Sequence, residues 1–120
     1  MEINACPQLL LDVVYSMVYS LPMFEVIESE TFKNWRTGLR DRQALHRINA
    51  RIGRLANGNA GDVKPVREGI SELRIDYGPG YRVYFMRSGP VVIVLLAGGD
   101  KRTQDADIER AIKIAQEWRE

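Results

Sequence analysis

Four side chains in the second half of the chain have the types and spacing to act on a phosphate: Arg74, Arg82, Tyr84 and Lys101. All lie in residues 69–104, GISELRIDYGPGYRVYFMRSGPVVIVLLAGGDKRTQ, where charged and aromatic residues alternate with apolar ones. Side chains two residues apart on a strand share a face. In residues 71–77 this places Leu73 and Ile75 on one face and Glu72, Arg74 and Asp76 on the other. In residues 81–86, Tyr81, Val83 and Phe85 oppose Arg82, Tyr84 and Met86. If the apolar sets share the core face, Arg74 and Arg82 come together on the opposite one. Two adjacent guanidinium groups repel unless an anion lies between them. Glu72 or Asp76 could supply it, as an ion-pair ladder. A phosphate held by the guanidinium forks could equally supply it. Tyr84, on the face of Arg82, could stack on a base or donate a proton.

The segment ends in Gly98-Gly99-Asp100-Lys101-Arg102-Thr103, read as a flexible corner before a helix, with Thr103 as the helix cap. Backbone amides and Lys101 there would suit an anion. The glycine spacing and Lys-Ser/Thr pair of a phosphate-binding P-loop are absent.

Length and composition bound the rest. A chain of 120 residues, 45% hydrophobic and 28% charged, predicts one globular domain with a core of its own. One cysteine excludes a disulfide framework, and one histidine beside it cannot build the usual zinc site. The net charge is +1 but uneven: residues 23–102 hold 14 bases and 9 acids, a surplus of +5, while residues 103–120 hold five acids and three bases. A basic body suits a polyanionic partner, although charge alone is equally satisfied by a solvated surface.

Several elements must position these groups. Phe24–Glu28 reads as a short strand. Ser29 can cap a helix carrying Phe32, Trp35 and Leu39, and Asp41 a second carrying Leu45, Ile48, Ile52 and Leu55. The two are expected to form a helical hairpin with apolar seams. The second helix also bears Arg47, Arg51 and Arg54 at i, i+4 and i+7, a basic stripe that needs no fixed geometry to meet phosphates. Pro65 confines residues 62–66 to a sheet edge. Val91–Ala97 is apolar throughout, which predicts an interior strand covered on both faces. The last helix turns Ile108, Ala111, Ile112 and Ala115 inward. Residues 1–22 hold an apolar stretch too short, and too interrupted by Asp12, to span a bilayer. They read as an extension before a natural start at Met23, or as a short helix from Gln8 to Tyr19 packed on the body or a partner, leaving 23–120 as the domain.

The stretches SELRIDYGPGYRVYF and VVIVLLAGGDKRTQ, with MFEVIESETFKNWRTGLRD and RINARIGRL followed by GDVKPVREG, resemble the RelE/ParE superfamily of type II toxins. The nearest branch is the HigB-like addiction module killer proteins. The resemblance runs from Met23 to about Glu117. It implies an α+β fold: an N-terminal helical hairpin packed on a twisted antiparallel sheet, with a C-terminal helix. It implies a cytoplasmic toxin neutralised by a helix-turn-helix antitoxin, cleaving mRNA on the ribosome without metal or cofactor. Attack of a 2′-hydroxyl on the adjacent phosphate would leave a cyclic phosphate end. By the same resemblance Arg82 clamps the phosphate, Arg74 and Lys101 add charge, and Tyr84 stacks on the base or moves a proton. Lys64 and Arg67, with Arg47, Arg51 and Arg54, would contact RNA or the ribosome. No His follows His46 and no Tyr follows Tyr84, where relatives often place an acid–base group, so the proton-transfer roles stay unassigned. The same fold also supports a ParE-like inhibitor of DNA gyrase, or a non-toxic module that only binds an antitoxin.

Overall fold

Strand β1 (Glu25–Glu28) leads into helix α1 (Glu30–Thr37) and helix α2 (Arg42–Ala56). Strands β2 (Val63–Pro65), β3 (Ser71–Ile75), β4 (Tyr81–Ser88) and β5 (Val92–Gly99) follow, and a short 3-10 turn (Lys101–Thr103) opens helix α3 (Gln104–Arg119). The structure is a computed structural model and describes residues 23–119; the expected extension at 1–22 lies outside the described residues.

The strands form one five-stranded sheet in the order β1-β5-β4-β3-β2. It is mixed, which corrects the expectation of an antiparallel sheet: β1 runs parallel to β5, with Glu25 opposite Val92 and Glu28 opposite Leu95. The reason is connectivity. The first strand meets its partner only after α1, α2, β2, β3 and β4 have been laid down, and β5 has one edge left free by β4. The helical hairpin is corrected as well. Helix α1 packs on β5 and α2 on β3, so each apolar stripe is spent on the sheet instead of on a seam between the helices.

Strand β5 is interior, and the sheet is covered on both faces. On one face Phe32, Ile48 and Leu55 from α1 and α2 meet Leu73, Ile75, Val83, Phe85, Ile93 and Leu95. On the other, Ile108, Ala111 and Ala115 of α3 meet Tyr84, Met86, Val94, Leu96 and Ala97. A register shift at Tyr84/Phe85 lets the adjacent Leu96 and Ala97 both turn toward α3.

Local signals start the helices. Ser29 accepts a hydrogen bond from the Phe32 amide at 3.0 Å. Asp41 accepts from the amides of Gln43 and Ala44, and its carboxylate also takes the Tyr77 hydroxyl at 3.0 Å, tying the start of α2 to the end of β3. The 3-10 turn before α3 is capped by Asp100: its side chain accepts from the Arg102 amide at 2.8 Å, and Thr103 completes the box by accepting from the Asp100 amide. The bond from the Arg102 side chain holds the Asp100 carboxyl below its ordinary range.

Gly98 and Gly99 are strand residues paired with Val83 and Arg82, so the flexible corner is also corrected. They are small because both layers press on the sheet there. A Cβ on Gly98 would strike the Trp35 ring from α1, and a Cβ on Gly99 would strike the Asp107 carboxylate from α3.

Candidate functional site

Register brings the cations together. Arg74 of β3 lies directly opposite Arg82 of β4, and Glu72 lies opposite Tyr84. On the outer side, Lys64 of β2 is opposite Glu72. Because side chains alternate, Lys64, Glu72, Arg74, Arg82 and Tyr84 all stand on the face that carries α3. Helix α3 packs chiefly on β5 and β4, so Tyr84 is buried beneath it while Lys64, on the edge strand, is exposed.

The two arginines are not left to repel one another. Arg74 donates from Nη2 to Asp62 Oδ1 at 3.0 Å, an exposed pair at the sheet edge. Arg82 turns the other way: Nε is 3.5 Å from Glu72 Oε2, and Nη1 donates to the Gly80 carbonyl at 3.1 Å. The ladder thus uses Asp62 and Glu72, one carboxylate per guanidinium. Asp76 lies past the end of β3, beside α2, and is not part of it.

The Cβ of Lys101 lies close to the β3–β4 turn at Gly80, as Arg82 Nη1 does. Gly80 has φ +82° and no Cβ; one built there would be 3.3 Å from Arg82 Nη1 and 3.6 Å from Lys101 Cβ. That contact places the 3-10 turn against the base of β4. Among the described residues the exposed Lys101 side chain has no hydrogen bond or ion pair, in contrast to Arg102, which is tied to Asp100 at 3.0 Å.

Tyr84 sits elsewhere in function. Its side chain is fully buried and its hydroxyl donates to Glu72 Oε2 at 3.0 Å. Burial, reinforced by the Glu72 carboxylate, pushes the phenol far above its ordinary value. A base cannot reach this ring, and the phenol holds its proton.

The remaining expected contacts divide. Arg47 and Arg54 are exposed and line a cleft of about 220 Å³ with Arg51, Ala50, Ile75 and Asp76. Arg47 lies over the Tyr77 ring, 4.8 Å from its centre. Arg51 is spent on structure, donating to the carbonyls of Arg74 at 2.7 Å and Ala60 at 3.1 Å. Arg67 pairs with Glu109 on the surface at 3.0 Å.

Gln104 carried no signal in the sequence. From the first turn of α3 its side-chain amide donates to Glu72 Oε2 at 2.6 Å, across 32 residues. Among the described residues no group of three His, Cys, Asp or Glu side chains is placed to hold a metal ion, and no helix is long and apolar enough to cross a membrane.

No protein-family model matches the sequence. Over 87 residues, 72% of this chain and 88% of the relative, it is 54% identical to an uncharacterized protein of Haemophilus influenzae. The chain belongs to the same family as that Haemophilus influenzae protein.

Proposed function

We propose that the protein is the toxin of a type II toxin–antitoxin module, of the HigB-like branch of the RelE/ParE superfamily, and that it cleaves mRNA on the ribosome in the cytoplasm. The observation that carries this reading is the Arg74–Arg82 pair on one sheet face, with Lys64 on the same face one row away and the Cβ of Lys101 close to Gly80, as Arg82 Nη1 is. The YGPGYRVYF and GGDK motifs supply two of these four cations, Arg82 and Lys101; Arg74 stands just upstream of the first, and Lys64 lies in GDVKPVREG.

The chemistry follows from charge. When a 2′-hydroxyl attacks the neighbouring phosphorus, the 5′-oxygen leaves and a 2′,3′-cyclic phosphate remains. Negative charge accumulates on the phosphoryl oxygens in between. Donors already held in place stabilise that charge without reorganising. In this reading Arg82 and Lys101 do this work, and Arg74 and Lys64 guide the strand. Tyr84 has no place at the reacting atoms, and proton transfer falls to groups outside this cluster, on the ribosome or the RNA. A helix-turn-helix antitoxin is the expected partner.

Lys101→Ala is the cleanest test, because nothing in the fold leans on that side chain. Induced wild-type protein should arrest growth with rapid loss of translation. Removing one charge-stabilising donor should lower the cleavage rate by about 10²–10³ and restore growth. Arrest by the wild type with intact transcripts would contradict nuclease action.

The burial of both Tyr84 and Glu72 favours a second reading, inhibition of DNA gyrase by binding alone. That reading predicts filamentation and altered DNA supercoiling with undamaged mRNA.

A further inference from the structure

Glu72 has no exposed surface, and its Oε1 has no partner. A buried carboxylate with one empty oxygen is unfavourable, and native folds seldom keep one without a use. Packing does not require it, since an apolar side chain of similar volume would fill the same position. What the charge does reach is Arg82.

The geometry around that contact is a clamp. Glu72 Oε2 is gripped by the Tyr84 hydroxyl at 3.0 Å and by Gln104 Nε2 at 2.6 Å, and it faces Arg82 Nε at 3.5 Å. Arg82 Nη1 is occupied by the Gly80 carbonyl. Arg82 Nε is buried and makes no hydrogen bond, so its contact with Glu72 is one of charge at 3.5 Å, while Nη2 is not hydrogen-bonded and is not fully buried. A guanidinium offers donors on more than one edge, and which edge faces outward depends on what holds the others.

We propose that Glu72, held by Tyr84 and Gln104, is a positioning residue that fixes the Nε edge of Arg82 inward and presents Nη2 to a phosphate beside Lys101. This rests on the reading of Arg82 as a phosphate clamp. It gives the buried carboxylate, Tyr84 and Gln104 one shared task. A role in fold stability and a role in aiming Arg82 then predict opposite outcomes for loss of the charge.

Glu72→Gln separates them, since it keeps an acceptor for Tyr84 and Gln104 and removes the charge. Relief of a desolvated carboxylate with an unpartnered oxygen offsets the lost attraction to Arg82, so the expected result is a melting temperature little changed. Cleavage of transcripts should meanwhile fall by about 10²-fold, the scale of a misplaced group. The direct readout is the Arg82 Nε–H resonance in isotope-labelled full-length protein. It should exchange slowly with water in the wild type and rapidly in Glu72→Gln. Gln104→Ala, at a half-buried helix position, provides the same reading should Glu72→Gln fail to fold. An Arg82 resonance equally protected in wild type and variants overturns the proposal, as does a Glu72→Gln protein that loses stability yet cleaves normally when folded. If the wild type proves harmless to cells, the toxin reading falls, and the resonance alone still decides whether Glu72 positions Arg82.

Discussion

At the residue scale, charge and depth are separate properties, and the sequence carries mainly the first. Period-2 alternation was enough to put Glu72, Arg74, Arg82 and Tyr84 on one face, and the register shows them there. Depth depends on where α3 lies, which no spacing within the strands encodes. Tyr84 therefore reads from sequence as a working residue and proves to be a buried support for Glu72. Tyr84→Phe should cost about 1–3 kcal/mol in urea denaturation, because Glu72 loses a buried donor. The phenol also gives a pH signature. Its folded pKa is raised, so the unfolded chain is the first to release that proton, and the stability it contributes is intact below the unfolded value near 10 and lost as pH rises past it. Wild-type protein should weaken in alkali above about pH 10, and Tyr84→Phe should weaken less steeply there.

At the element scale, the caps and stripes were legible because each is set by neighbours in sequence: Ser29 and Asp41 begin their helices where the sequence places them. The partner of β1 was not, because a four-residue strand says nothing about whether its neighbour runs with it or against it. Nor was the reason for two glycines at the end of β5. They read as flexibility and turn out to be where side chains from both helical layers press on the sheet, Trp35 on one side and Asp107 on the other. Gly98→Ala should thus destabilise the protein by roughly 1–3 kcal/mol through overpacking against Trp35. Thermal melting would show it, and a variant as stable as wild type would mean that α1 moves away freely. Asp100→Ala, which removes the cap before α3, should cost about 1 kcal/mol in the same assay.

At the scale of the whole molecule, the basic surplus of residues 23–102 is gathered at particular places. Some cations are neutralised within the fold, as Arg36 is by Glu28 and Arg67 by Glu109. Others are left at the surface, as Lys64, Lys101, Arg47 and Arg54 are. Paired arginines hold elements together, and the unpaired remainder is what a polyanion would meet. The distinction was not visible from the sequence, since Arg51 and Arg54 look alike on a helix and only Arg51 reaches the carbonyls of Arg74 and Ala60.

The claim at the centre of this account is that Arg82 and Lys101 together hold a scissile phosphate. Mapping the 5′ ends of cellular transcripts after brief induction tests it most directly, with wild type and Lys101→Ala compared at equal protein levels. New ends inside coding regions in the wild type, lost in the variant, are the predicted result. Transcripts that stay intact in both, or identical cleavage by both, would contradict it.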